Sequence, residues 1–129
     1  MVIDSSALIA ILLDEPERVQ FSNAIERDTS RLIAAPTLLE TAMVLSARKG
    51  DDALRELDYA ILKMRIEVIP FGYDEQRVAQ KAFLLYGKGR HAAGLNYGDC
   101  MSYASAAVRG EPLLFKGEDF PLTDIDVCG

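Results

Sequence analysis

Cysteine and histidine are scarce in this chain. Its 129 residues include two cysteines, Cys100 and Cys128, and one histidine, His91. The cysteines have neither CxxC nor other metal-ligand spacing, which argues against a disulfide framework and a zinc site. No apolar run approaches the roughly 20 residues that cross a bilayer, and the first residues lack the basic segment of a secretory signal. These absences predict a cytoplasmic protein without a membrane segment.

An excess of positive charge is also missing. The chain has 14 Lys and Arg against 20 Asp and Glu, a formal net charge of −6. This charge argues against a protein that binds nucleic acid by net charge alone. It does not exclude a nucleic-acid-binding protein whose acidic residues are gathered in one place and neutralised there. Half of the residues are hydrophobic, and the length predicts one domain over residues 1–129.

Short apolar segments alternate with longer amphipathic ones. Strands are predicted at residues 1–3, 31–35, 66–71 and 112–115, and the segment 123–127 is a fifth candidate. Helices are predicted at residues 7–13, from within 14–17 onward, from a capping box at 37–40 to Gly50, at 51–65, at 74–86, and from Asp99 onward. This alternation predicts an α/β fold, a short parallel sheet covered by helices on both faces.

Acidic side chains cluster at the predicted starts of helices. Asp4 directly follows the first strand, Glu40 lies in the first turn after the second, and Asp99 opens the helix after a glycine-rich loop. Glu118 and Asp119 come just after the fourth strand. Taken singly, each has a structural explanation as a helix cap, a capping-box partner or a solvated turn residue.

Together these acids indicate a different role. In parallel sheets the strand-to-helix turns meet at one edge, so the carboxylates are expected to lie close together. Like charges at that distance raise one another's pKa unless a cation joins them. Oxygen ligands without His or Cys favour Mg²⁺ or Mn²⁺. Such an ion can activate water and stabilise a phosphoryl transition state.

Four stretches of the sequence resemble, in order, the acidic motifs of PIN-domain ribonucleases: MVIDSSALIAIL, APTLLETAMVL, GLNYGDCMSYASA and PLLFKGEDF. Within that family the chain most resembles the VapC toxins of bacterial toxin–antitoxin pairs. The resemblance covers essentially the whole chain. It implies a three-layer α/β/α sandwich and Mg²⁺- or Mn²⁺-dependent endonucleolytic cleavage of RNA. It also implies a cognate antitoxin as partner and, often, a homodimer.

The resemblance also assigns roles to individual residues. Asp4, Glu40 and Asp99 match the first three acids of the family, and Ser6 matches the hydroxyl residue that orients the first. The principal metal is then expected on Asp4 and Asp99, with water as the nucleophile. The fourth acid is ambiguous, because the family's T-x-D arrangement is absent here. The fourth acid is therefore expected to be either Glu118 or Asp119.

The glycine-rich loop carries Lys88, Arg90 and His91 beside the predicted metal site. These side chains either contact RNA phosphates or belong to an ordinary solvated loop. Asn96 and Tyr97 come next, and we expect them to position the turn before Asp99, with RNA contact as the alternative. Cys100 is expected to be a small core residue.

The apolar residues of the first helix exceed what a single buried face requires, which favours a homodimer or antitoxin surface there. They are Leu8, Ile9, Ile11, Leu12 and Leu13.

Two other functions fit parts of the pattern. A phosphatase or phosphotransfer domain also places an acid after the first strand, although the haloacid-dehalogenase pattern has a second Asp where this chain has Ser6. A regulatory α/β domain without catalysis would need these acids only as helix caps.

Overall fold

Four short parallel strands form the centre of the protein in the computed structural model, which describes residues 1–128. In sequence order they are β1 (Val2–Ile3), β2 (Leu32–Ala34), β3 (Glu67–Ile69) and β4 (Leu113–Leu114). Their order in the sheet is β3-β2-β1-β4, so β1 is central, with Val2 opposite both Leu32 and Leu113. The predicted parallel sheet is confirmed, with strands shorter than expected.

Helices cover both faces of this sheet. They are α1 (Ser5–Leu12), α2 (Arg18–Arg27), α3 (Ala35–Lys49), α4 (Ala53–Lys63), α5 (Tyr73–Tyr86) and α6 (Tyr97–Arg109). Successive side chains of β1 point to opposite faces. Met1 and Ile3 therefore pack in a core with α1–α4, while Val2 packs in a second core with α5 and α6. The predicted three-layer α/β/α sandwich is confirmed.

The fifth predicted strand, residues 123–127, is wrong. That segment makes one isolated parallel bridge, Leu113 with Val127, and is preceded by a short 3₁₀ turn at Phe120–Leu122. The Asp124 carboxylate accepts a hydrogen bond from the Tyr103 hydroxyl of α6. Through this contact the segment 123–127 packs on helix α6, and it does not form a continuous strand beside β4.

The predicted capping box at residues 37–40 is also wrong. Helix α3 begins at Ala35, directly after β2, with Pro36 in its first turn and no side-chain cap. Proline suits the first turn of a helix, because its missing N–H would have no partner there. Thr37 is consequently already inside the helix, and its buried hydroxyl has no hydrogen-bond partner among the described residues. Glu40 therefore lies in the second turn of α3, and not in the first turn as predicted.

Two other helix starts are shifted. Helix α2 begins at Arg18, after a turn in which Asp14 has a positive φ of 54°, and so two residues beyond Pro16. Helix α6 begins at Tyr97, with Asn96 as its N-cap, so Asp99 lies inside the first turn instead of opening the helix. Among residues 1–128, no helix has the length and apolar character needed to cross a bilayer.

Candidate active site

Asp4 lies at the junction of β1 and α1 and is almost completely buried, with 4% of its surface exposed. It is the N-cap of α1, and its Oδ2 accepts hydrogen bonds from the Ser6 backbone N–H at 3.1 Å and the Ser6 hydroxyl at 2.6 Å. Its Oδ1 accepts a hydrogen bond from the Ser102 hydroxyl of α6 at 2.5 Å. Hydroxyl groups on two different helices thus fix both oxygens of this carboxylate.

Ser102 was not predicted from the sequence. A usable signal is its spacing, since it lies three residues after Asp99 and therefore on the same face of α6. Ser6, which was predicted to orient Asp4, makes that contact and also accepts a hydrogen bond from the Lys116 backbone N–H at 2.9 Å. The segment after β4 is thereby joined to the start of α1.

Glu40 lies half-buried on α3 with its carboxylate against the first turn of α6. A Cβ atom added to Gly98 would come within 2.3 Å of Glu40 Oε2. Burial is the main cause that raises the pKa of Glu40, a hydrogen bond from Ser5 lowers it, and the charge of Asp4 raises it further. The glycine therefore provides the space in which the second carboxylate approaches the first.

Asp99 forms a reciprocal capping box with Asn96. The Asp99 N–H donates to Asn96 Oδ1 at 2.9 Å, and the Asn96 N–H donates to Asp99 Oδ2 at 3.1 Å. Burial raises the pKa of Asp99 to about 6, the Asn96 hydrogen bond opposes that shift, and the charges of Asp4, Asp119 and Glu40 add to it. The expected structural role of Asn96 is confirmed.

The two candidates for the fourth acid differ in their surroundings. Both Glu118 and Asp119 are exposed, in the loop between β4 and the 3₁₀ turn. The charge of Asp119 raises the pKa of Asp99, and Glu118 is not among the main causes of that shift. The neighbouring Phe120 is buried against Phe115, which anchors this end of the loop. These contacts favour Asp119, and the assignment of the fourth acid stays a prediction.

The donor set is that of a hard divalent cation. The charges that raise the pKa of Asp99 are those of three carboxylates, Asp4, Asp119 and Glu40, with no His among them, and Mg²⁺ and Mn²⁺ prefer such oxygens. Their mutual repulsion is what a bound cation would relieve. Across residues 1–128, no three Asp, Glu, His or Cys side chains are arranged as a ready cation site. The carboxylates are thus of the type that binds Mg²⁺ or Mn²⁺, but among the described residues they are not arranged as a complete coordination shell.

The basic loop between α5 and α6 makes contacts of its own. The Arg90 guanidinium lies 5.1 Å from the centroid of the Phe83 ring, and His91 packs edge-on against Tyr86. His91 Nδ1 also accepts a hydrogen bond from the Ala93 N–H. Lys88 lines a groove beside the start of α6. RNA contact by Lys88, Arg90 and His91 stays a prediction.

Two further expectations concern residues of the core. Cys100 is 6% exposed and packs in the core beneath α6, as predicted. Leu8 and Ile11 of α1 are buried within the chain, and Leu12 and Leu13 pack against the same core. The apolar excess of α1 therefore serves mainly the chain's own core. Large exposed apolar side chains lie elsewhere, on α3 (Leu39, Met43), α4 (Tyr59, Leu62) and α5 (Tyr73, Leu84, Leu85).

Comparison with known proteins gives a consistent result. The family model described as "PIN domain" matches residues 1–126. Ribonuclease VapC30 of Mycobacterium tuberculosis (strain ATCC 25618 / H37Rv) is 50% identical over 125 residues, which cover 97% of this chain and 95% of that protein. Ribonuclease VapC of Mycolicibacterium smegmatis is 49% identical, covering 97% of each chain.

A solved structure shares the fold. The crystal structure of Mycobacterium tuberculosis VapC20, described as a sarcin-ricin loop cleaving toxin, superimposes with a TM-score of 0.76. The match covers 96% of this chain and 95% of that one at 17% sequence identity. At that identity the likeness supports the architecture alone.

Proposed function

The chain belongs to the PIN-domain family, and we propose that it is a metal-dependent endoribonuclease, the toxin of a VapBC-type toxin–antitoxin pair. The observation that carries the proposal is the meeting of Asp4, Glu40 and Asp99 at one edge of the sheet, where burial and mutual repulsion raise the pKa of the latter two. The half-identical relatives are named VapC ribonucleases. A phosphatase or a regulatory domain has no comparable support.

In this proposal Asp4 and Asp99 hold Mg²⁺ or Mn²⁺, and Glu40 and Asp119 complete the acidic site, with Glu118 as the alternative to Asp119. When bound, the ion supplies Lewis-acid activation of a water molecule and stabilises negative charge on the phosphate.

The chain's own residues prepare the site for that reaction. Ser6 and Ser102 hold the Asp4 carboxylate in one orientation through hydroxyl donors. Asn96 and its capping box fix the first turn of α6 and, with it, Asp99. The amino termini of α1 and α6 are both at this edge, and their positive ends favour a phosphate nearby.

The nucleophile in this proposal is water. Cys100 is the nearest thiol in sequence to Asp99, but it is buried, and burial together with the charge of Asp99 raises its pKa. It therefore stays a neutral thiol at physiological pH, and the neutral form is a poor nucleophile. No covalent enzyme intermediate is needed for phosphodiester hydrolysis at such a site.

The proposed partners are an RNA substrate in the cytoplasm, a cognate antitoxin and a second copy of the chain. The exposed apolar side chains of α3–α5 offer area for protein contacts, since most of the apolar excess of α1 is buried internally. Light scattering of the isolated chain tests the homodimer, and co-purification with the product of the neighbouring gene tests the antitoxin.

The central experiment compares RNA cleavage by the wild-type chain in Mg²⁺, in Mn²⁺ and in EDTA, with the ends mapped by sequencing. Asp4→Asn and Asp99→Asn are expected to abolish metal-dependent cleavage, while Asp52→Asn, an exposed acid at the start of α4, keeps it. Circular dichroism verifies that each variant is folded. Full Mg²⁺-dependent cleavage by folded Asp4→Asn would refute the assignment.

A further inference from the structure

Lys116 connects two loops beside the acidic site. Its ammonium lies 3.0 Å from Glu15 Oε1 and 3.3 Å from Glu17 Oε1, and both acids belong to the turn between α1 and α2. Its backbone N–H donates to the Ser6 hydroxyl at 2.9 Å, and that hydroxyl donates in turn to Asp4 Oδ2. Lys116 therefore contacts the α1–α2 turn with its side chain and the support of Asp4 with its backbone.

The contact with Glu17 differs from an ordinary surface ion pair. Glu17 Oε1 is buried and has no hydrogen-bond partner among the described residues, so the Lys116 ammonium supplies its compensating charge. Exposed ion pairs contribute little, because water screens them, whereas removal of one partner leaves a buried charge uncompensated. Loss of the Lys116 charge is therefore expected to displace Glu17 and the turn that carries it.

The α1–α2 turn has a backbone held by its own hydrogen bonds. Asp14 has a positive φ of 54°, a conformation that Asp adopts more readily than most residues. The Glu15 N–H donates to the Ala10 carbonyl at 2.9 Å, and the Arg18 N–H donates to the Glu15 carbonyl at 3.0 Å. Lys116 thus pairs with an acid whose backbone is already fixed between two helices.

The loop that carries the fourth acid is anchored at both ends. Gly117 follows Lys116 with a positive φ of 126°, a conformation that favours glycine, and Glu118 and Asp119 come next. At the other end of the loop Phe120 is buried. The two candidates for the fourth acid therefore lie between Lys116 and Phe120, and the contacts of Lys116 limit how far the loop can move from the site.

We propose that Lys116 is a positioning residue of the acidic site: by joining the α1–α2 turn to the loop after β4, it holds the Ser6 hydroxyl on Asp4 and keeps the fourth acid in place. The inference rests on the proposed function and adds a residue that acts without contacting the metal. Its test has a distinctive sign. Removing a positive charge near carboxylates strengthens cation binding by electrostatics alone, whereas losing a group that orients a metal ligand weakens it.

The experiment compares Lys116→Met and Lys116→Gln, which lack the charge, with Lys116→Arg, which keeps it. Lys49→Met is the matched control, since Lys49 forms an exposed ion pair of 3.3 Å with Glu56 away from the site. Binding of Mn²⁺ to each metal-free variant, without RNA, is measured from the electron paramagnetic resonance signal of the free ion. RNA cleavage is then followed over a range of Mn²⁺ concentrations, and melting curves verify that each variant is folded.

Lys116→Met and Lys116→Gln are expected to raise the dissociation constant for Mn²⁺ about tenfold, as for other groups that support a metal ligand. Cleavage should recover towards the wild-type rate at saturating Mn²⁺. Lys116→Arg and Lys49→Met should bind Mn²⁺ as the wild type does. The double variant Glu15→Gln, Glu17→Gln should reproduce the loss, and adding Lys116→Met to it should cause no further loss, because members of one network do not act additively.

Other outcomes overturn the proposal in distinguishable ways. Tighter Mn²⁺ binding by Lys116→Met would show that the lysine acts only as a repelling charge. Equal impairment of Lys116→Met and Lys116→Arg, or a lower melting temperature with unchanged Mn²⁺ binding, would leave it a structural role alone. If the wild type binds Mn²⁺ and cleaves RNA but Lys116→Met matches it, only the positioning role fails. If the wild type does neither, the proposed function itself fails.

Discussion

Gly98 lies directly against the carboxylate of Glu40: a Cβ atom at residue 98 would come within 2.3 Å of Oε2 and 2.8 Å of Oε1. The two residues belong to different helices, α6 and α3. The absence of a side chain on one helix therefore determines how closely the acid on the other approaches Asp4 and Asp99. This relationship makes the glycine part of the site although it carries no chemical group.

Gly98→Ala should move the Glu40 carboxylate or the first turn of α6. We expect a loss of about 10- to 100-fold in RNA cleavage, because displacements near 1 Å at a reacting site have that effect. Gly72→Ala is the control, since its Cβ would lie 3.4 Å from Glu75 Oε2 at another helix start. Cleavage rates and melting temperatures are measured for both. Equal rates for Gly98→Ala and the wild type would show that the position of Glu40 does not matter.

Ser102→Ala should weaken metal binding by removing the donor to Asp4 Oδ1. Groups that orient a metal ligand typically contribute 10- to 100-fold in metal affinity or activity, so the Mn²⁺ concentration for half-maximal cleavage is expected to rise about tenfold. Ser105→Ala is a matched control, because Ser105 is equally buried on α6 but donates to the Met101 carbonyl. If both serine variants behave alike, the effect comes from packing.

Asp99→Asn should stabilise the metal-free protein at neutral pH. The pKa of Asp99 is raised from 3.8 to about 6, so the folded state favours the neutral carboxyl. Stability from this group is fully present below about pH 4 and is lost as the pH rises through 6. We expect the loss to be about 2 kcal/mol after solvent screening, and a melting temperature several degrees higher for Asp99→Asn at pH 7.5.

The same melting experiment separates charge relief from metal binding. Without metal, the fall in wild-type stability between pH 4 and 6 should be reduced in Asp99→Asn. Added Mn²⁺ should stabilise the wild type, since a ligand that binds only the folded state raises its melting temperature, and it should have little effect on the variant. A metal-free Asp99→Asn less stable than the wild type at pH 7.5 would contradict the charge argument.

Asp119→Asn and Glu118→Gln should differ in activity. The charge of Asp119 raises the pKa of Asp99, and the buried Phe120, the next residue in the chain, anchors the loop that carries Asp119. We therefore expect Asp119→Asn to lose at least about tenfold in cleavage, as for other groups that tune a metal site, and Glu118→Gln to retain most of its activity. Single-turnover cleavage of one RNA by the two variants decides the question, and the reverse order would assign the fourth acid to Glu118.

The amino-acid sequence by itself determined the layered architecture. Short apolar segments that alternate with amphipathic ones bury both faces of a sheet, and a helix after each strand makes the sheet parallel. The position of Asp4 at the edge of the sheet was also predictable from the sequence, because this residue directly follows the apolar strand β1. The Asn96–Asp99 turn is also local, but Asn and Asp both cap helices well, and the sequence could not tell which of them does so.

Only the tertiary structure decided which distant groups meet. Ser102 donates to Asp4 across 98 residues of sequence, and Glu40 of α3 lies against Gly98 of α6. Side-chain direction on a helix turns by about 100° per residue. The rotation of α3 and α6 about their axes therefore determines which carboxylates and hydroxyls point into the site. That rotation is set by how the two helices pack on the sheet and on each other, and no local sequence pattern encodes it.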